Sequence, residues 1–384
     1  MYRNNIAEIV AFTKKLVAAR SQNEIESETN VAKLVYNKLV GFGFSPKIIG
    51  PKNHPSVICN VRKKDSVKTV WLESCLDTVP AGDSKKWDYP PFSGKIIGNK
   101  MYGRGVADSK VAIAAFCYLA KELYQDTRFK GSLFLGFDAD EQTGNFTGVK
   151  EIFKHAPKAD ACILGYQGIG EISIGARGNL VLKLIVFGQS AHTGSRTKKG
   201  VNAIHLMGKT ISVLTGLGLE EKKEPFFEFG SSLNISKIKG GLVFNMVPDK
   251  CEAIIDIRTI ASQKQKEVFN KIKNVLEAIK IKDRTFKYSL EVLQAYDSYL
   301  TDPQNKFVQI FQKTAKEILS KNIPLKASGQ KSVGNLISRF KVPIINAFGV
   351  ESDNVHAPNE WINIKTLPAV YRIYKQAIIK FCGT

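Results

Sequence analysis

The sequence contains no apolar run close to the roughly 20 residues that a membrane-spanning helix needs, which excludes a transmembrane protein. It also has no C-x-x-C pair. Its six cysteines, at 59, 75, 117, 162, 251 and 382, lie far apart, so neither a disulfide framework nor a structural zinc knuckle is indicated. Internal repeats and low-complexity tracts are missing as well. Acidic residues are scarce: 35 Asp+Glu stand against 56 Lys+Arg, for a formal net charge of +21. Such a charge suits a nucleic acid, a membrane surface or long-range steering of a small acidic ligand. The basic residues spread along the whole chain, and the densest groups (Arg62 to Lys64, Lys198 with Lys199, Lys280 to Arg284) are short and lack interleaved aromatics. No nucleic-acid or membrane partner is therefore expected, and most of the charge reads as that of a generally basic, Lys-rich proteome. The opening segment MYRNNIAEIVAFTKKL breaks its apolar positions with Asn, Glu and Lys, so it reads as an amphipathic helix rather than a signal peptide and predicts a cytoplasmic protein.

At 384 residues the chain exceeds what one hydrophobic core usually supports, so two domains are expected. Helical spacing covers residues 4–20 and 26–42. Strand-like runs follow in SVICNVRK, TVWLESCL, KGSLFLGFDAD and ADACILGY, with helices at 110–124 and 147–154 among them. Strands alternating with helices predict an α/β domain with a doubly wound, mainly parallel sheet, whose functional groups sit at the carboxyl ends of strands. From about Arg177 the texture changes to longer alternating strands, GNLVLKLIVFG, SSLNISKIKGG and KCEAIIDIR, with helices at 201–215 and 262–279. That is an α+β insert. The expected division is a discontinuous catalytic domain, 1–176 and 295–384, around an inserted domain, 177–294.

Four segments carry a resemblance. They are SCLDTVPAGDSKKWDYPPFSGKIIGNKMYGRGVADSK (74–110), FDADEQTG (137–144), the insert's FGQSAHTG, GVNAI, GGLVFNMVPD and DIR, and FGVESDNVHAPNE (348–360). In this order they resemble the dinuclear-zinc amidohydrolases of the acetylornithine deacetylase, succinyl-diaminopimelate desuccinylase and aminoacylase family, over nearly the whole chain. The resemblance implies a catalytic domain with a dimerisation (lid) insert, and a homodimer. In that chemistry two zinc ions share a carboxylate and activate a bridging water, while a glutamate that does not bind metal takes the water's proton. Carried over, the bridging aspartate is Asp108, the general base Glu141, and the last histidine ligand His356. His192 is the histidine offered to the other subunit's site. Arg258 and Asn245 hold the substrate's carboxylate and backbone, Arg because its fork donates two parallel bonds.

Three ligand positions depart from the family. Cys75 stands where the first histidine should be, Gln142 replaces a glutamate, and Tyr166 replaces another carboxylate. A neutral amide and a phenol are poor zinc donors, whereas a thiolate is a legitimate one. Asp77 keeps its place without the imidazole it would orient. In SGQKSVGN, Gly329 and Lys331 fall in the substrate-binding segment, with Lys331 where relatives carry an acidic residue. The expectation is at most one weakly held divalent metal, zinc, on Asp108, His356, Gln142 and Cys75, in place of the pair. Three functions stay open: an amidohydrolase of small N-acyl amino acids or peptides with an altered metal site; a metal-independent enzyme using Glu141 for acyl transfer or cyclisation, with or without a Cys75 nucleophile; and a non-catalytic homologue that binds a small ligand or a protein.

Overall fold

The computed structural model describes residues 2–64, 66–197, 199–219 and 224–383; Lys198, in one of the basic groups above, lies outside them. The chain divides into two compact units, Met1–Gly175 with Thr301–Lys326 and Ile337–Thr384, and Ala176–Leu300 with Ala327–Leu336. Residues 295–300 and the short stretch 327–336, assigned by sequence to the catalytic domain, group with the insert.

In the first unit, α1 (Tyr2–Ala18) and α2 (Thr29–Gly41) precede β1 (Lys47–Ile49), β2 (Ser56–Arg62) and β3 (Thr69–Cys75). Then come α3 (Val111–Gln125), β4 (Ser132–Asp138), α4 (Thr147–Ile152) and β5 (Ala161–Leu164). After the insert follow α5 (Lys306–Leu319), β6 (Ile344–Ile345) and α6 (Leu367–Cys382). The strands form one sheet in the order β1-β2-β4-β3-β5-β6. From β4 through β6 the pairing is parallel, and β1 and β2 make an antiparallel edge. This is the mainly parallel α/β sheet that the strand and helix alternation predicts. β4 is buried along its whole length, and β3 is buried beyond its first residue, as strands covered on both faces must be. Helix α3 reads VAIAAFCYLA and is apolar all round, so it has no polar face to offer water; every residue from Val111 to Ala120 is buried.

A second, antiparallel sheet in this unit was not read from the sequence. Its strands are Ser352–Asp353, Trp361–Asn363, Lys100–Tyr102 and Lys95–Ile97, in that order. Two or three residues each, they are too short to show a period. Their importance lies in what they deliver: the loop carrying Asp108 leaves one strand, and the loop carrying His356 joins two others.

The insert is a four-stranded antiparallel sheet, ordered Ser232–Gly240, Lys250–Thr259, Gly178–Phe187, Lys287–Tyr296, with helices Ala203–Thr215 and Gln265–Lys282. One face of Gly178–Phe187 and Lys250–Thr259 is apolar, and Leu182, Leu184, Val186, Ile255 and Ile257 pack with Leu206, Met207, Ile272 and Leu276 of the helices. The Lys287–Tyr296 strand escapes the sequence reading because it is a largely exposed edge with little burial to impose a pattern.

Candidate active site

Three parallel strands end side by side, and the predicted residues leave from those ends. Cys75 closes β3 opposite Asp138, which closes β4. Asp77 follows two residues after β3, Glu141 and Gln142 follow β4, and Tyr166 follows β5. Asp108 and His356 arrive from the small sheet. Gly105 permits this approach: its φ is +77°, and a Cβ there would lie 2.2 Å from the Thr78 methyl carbon.

The two loops from the small sheet are tied together by a buried ion pair. Arg104 Nη1 meets Glu360 Oε2 at 2.6 Å, and both side chains are almost fully buried. Glu360 also accepts from the backbone N–H of Gly105 and Ala107, and Arg104 Nη2 donates to Ala357 O beside His356. Both residues lie inside the quoted motifs, GRGVADSK and HAPNE, but nothing in one sequence says that a motif's Arg and Glu, 256 positions apart, are partners.

Asp108 is the centre of a closed hydrogen-bond cluster. Its Oδ2 faces His356 Nε2 at 2.9 Å and accepts from Gln142 Nε2 at 3.2 Å; its Oδ1 accepts from Ser109 Oγ at 2.8 Å. The bond to Asp108 raises the His356 pKa against the opposing effect of burial. Cys75 Sγ lies 3.6 Å from Ser109 Oγ, 3.8 Å from Gln142 Nε2 and 4.0 Å from Asp108 Oδ1. Burial, reinforced by the Asp108 and Glu141 charges, pushes this thiol well above its ordinary pKa. Tyr166 donates its hydroxyl to Glu141 Oε1 at 3.0 Å, and burial with the Glu141 charge keeps the phenol protonated. Among the described residues no group of three or more His, Cys, Asp or Glu is arranged to hold a metal ion.

Asp77 has a task that sequence reasoning missed. Its two oxygens accept the backbone N–H groups of Glu141 and Gln142 at 3.1 and 2.9 Å, and Asn23 Nδ2 reaches it at 3.0 Å. Burial drives its pKa up to about 7 although these bonds oppose the rise. Beneath the strand ends, Glu73 and Asp138 are fully buried neighbours on β3 and β4. Burial raises both; the Glu73 charge raises Asp138 further, while contacts with Trp71 and Asp138 oppose the rise at Glu73, so this pair retains a proton at neutral pH.

The remaining predicted residues belong to the insert. His192 and Asn245 sit on adjoining exposed loops, joined by the His192–Met246 bridge and by Thr193 N donating to Asn245 O at 3.1 Å. Arg258 pairs with Asp256 at 2.9 Å on the face of the sheet turned away from the helices. Lys331 donates to Gln294 Oε1 at 2.7 Å and lies over the Tyr296 ring; Gly329 is exposed.

The sequence profile described as Peptidase family M20/M25/M40 matches residues 72–380. A succinyl-diaminopimelate desuccinylase from Wigglesworthia glossinidia brevipalpis is 29% identical, with 97% of this chain and 98% of that protein covered. Among solved structures, an M20 family metallo-carboxypeptidase from Sulfolobus solfataricus superposes with a TM-score of 0.82 at 18% identity, covering 98% of this chain and 99% of the other. A Bacillus subtilis protein described as a dinuclear metal binding peptidase from the M20 family gives 0.74 at 15% identity, covering 100% and 99%. These solved structures share the fold.

Proposed function

The chain belongs to peptidase family M20/M25/M40, and from that premise we propose that it is an amidohydrolase acting on a small carboxylate-bearing amide, an N-acyl amino acid or short peptide, without a pair of zinc ions. The observation that carries the second half is the donor set around Asp108. A catalytic zinc ion takes about three anionic or imidazole donors from the protein, with water in the fourth position, and two ions need more. Here Tyr166 is a phenol bonded to Glu141 and Gln142 is a neutral amide, so of the family's donors Asp108 and His356 remain, with the Cys75 thiol in a histidine's place. The residues present do not fit a dinuclear centre.

What the chain keeps is a means of moving a proton. Glu141 accepts the proton of a water that adds to the amide carbonyl, then returns it to the nitrogen as the C–N bond breaks, giving a carboxylic acid and an amine. Tyr166 holds a donor on the Glu141 carboxylate. His356, its pKa raised by Asp108, supplies positive charge beside the reacting groups. Arg258 is the candidate for the substrate's carboxylate. Acyl transfer through Cys75 draws less support, because the thiol is buried, its pKa is high, and the imidazole that would serve as its base bonds Asp108 instead. A homodimer goes with this reading: His192 and Asn245 are exposed together on the insert, as side chains serving a second copy would be.

The test is a panel of N-acetyl and N-succinyl amino acids and dipeptides, assayed with excess chelator on the wild type and on Glu141→Gln. Hydrolysis that survives the chelator and disappears in Glu141→Gln supports the reading. Hydrolysis abolished by the chelator and restored by zinc, with two ions then bound per chain, overturns the claim that the pair is missing. No hydrolysis of any member, together with binding of one of them, favours the non-catalytic alternative, for which the closed cluster on Asp108 is the supporting observation.

A further inference from the structure

Three consecutive backbone N–H groups lead through the general base, and each is taken by a carboxylate from another segment. Asp140 N donates to Glu28 Oε1 at 3.4 Å, Glu141 N to Asp77 Oδ1 at 3.1 Å and Gln142 N to Asp77 Oδ2 at 2.9 Å. Asp140 itself has φ of +58°, in the left-handed region that Asp and Asn enter more readily than other residues with a Cβ. Successive N–H groups in a turn of this kind make a concave anion site. In this chain two internal carboxylates occupy it, both fully buried.

Each carboxylate is held in turn. Asn23 Nδ2 donates to Asp77 at 3.0 Å, and His54 Nδ1 meets Glu28 at 3.1 Å. Asn23 is fixed by its own backbone: its N–H donates to Thr78 O at 2.8 Å, Thr78 N donates to Ser21 O at 2.9 Å, and Ser21 Oγ donates to Leu76 O at 2.8 Å. The segment 21–28 therefore clasps the end of β3 and reaches the turn after β4 from behind.

We propose that Asn23 and Glu28 are positioning residues for Glu141. They set the backbone of its turn through Asp77 and directly, and so fix where its carboxylate stands relative to Tyr166. Both lie outside the residues 72–380 that the family profile matches, so this control over the turn comes from a segment to which that match assigns nothing. The inference rests on Glu141 being the proton-handling group, and its test reads the turn itself rather than turnover.

Hydrogen exchange of the full chain, resolved at residues 140–142 and along β4, is compared for the wild type, Asn23→Ala, Glu28→Ala and Glu28→Gln. Losing one such bond should speed exchange at 140–142 by about tenfold while β4 stays protected. Glu28→Gln retains an acceptor oxygen and should restore most of the protection at Asp140, which keeps the test readable if the alanine variants fold poorly. Unchanged exchange at 140–142, or a rise shared equally by β4, overturns the proposal. Failure of the catalytic reading looks different: Glu141→Gln would then keep full turnover while the exchange pattern above still holds.

Discussion

Replacing Glu360 by Gln removes the charge on which the site's two incoming loops are joined. Arg104 would be left buried, with its guanidinium facing a neutral amide in place of a carboxylate and with only neutral oxygens, that amide's and the Ala357 carbonyl, to accept from it; both members of the pair are about 1% exposed. Removing one partner of a buried ion pair costs about 3–5 kcal/mol, because the remaining charge keeps its desolvation cost and loses its compensation. Two backbone N–H groups, of Gly105 and Ala107, also lose a charged acceptor. At about 2–4 °C per kcal/mol for a unit of this size, the thermal midpoint should fall by roughly 6–20 °C. Scanning calorimetry measures it, with Glu317→Gln as control. Glu317 pairs with Lys380 at an equal 2.6 Å, but both side chains are more than 40% exposed, so solvent already screens that pair and its loss should leave the midpoint unchanged. Equal midpoints for the two variants would refute the argument that burial, not the bond length, gives the Arg104–Glu360 pair its weight.

Other outcomes follow from the same geometry. Asp77 binds its proton more tightly folded than unfolded, so its contribution to stability is complete below the unfolded value near 3.8 and is lost as pH rises through about 7. Unfolding free energy should therefore rise on acidification from pH 8 to 5, and urea titrations should show a shallower slope for Asp77→Asn; an unchanged slope contradicts the raised pKa. Cys75 and the other five thiols are buried, so the native chain should resist aromatic disulfide reagents until denaturant is added. Cys75→Ser should retain turnover that Glu141→Gln loses, and the reverse order would restore the thiol as nucleophile. Tyr166→Phe removes the donor 3.0 Å from Glu141 and should lower turnover by about fivefold, and unchanged kcat in a steady-state assay would exclude a role for that contact.

The sequence made the strand ends of the first unit readable because β3, β4 and β5 are strongly apolar runs that stop at polar residues, and Cys75, Glu141 and Tyr166 fall where they stop. Helix α3 was readable for a similar reason. What escaped was set by contacts far apart in the chain. The small sheet that brings Asp108 to His356 has strands of two or three residues, and the Arg104–Glu360 tie joins its loops. The role of Asp77 was misjudged: deprived of an imidazole, it still takes two backbone N–H groups, a bond that no residue pattern announces. Helix α6 is a plain omission, since its buried face, Val370, Tyr371, Tyr374, Ile378 and Phe381, repeats with helical spacing.

We propose that Cys75 and Gln142, hydrogen-bonded around Asp108, and Tyr166, bonded to Glu141, stand in place of metal coordination. Metal content by plasma mass spectrometry, on chain purified without added zinc and dialysed against metal-free buffer, tests it most directly. Well under one divalent ion per chain is expected, with a thermal midpoint that chelator does not lower. Two ions per chain, retained through dialysis and lost together with stability on chelation, would contradict it.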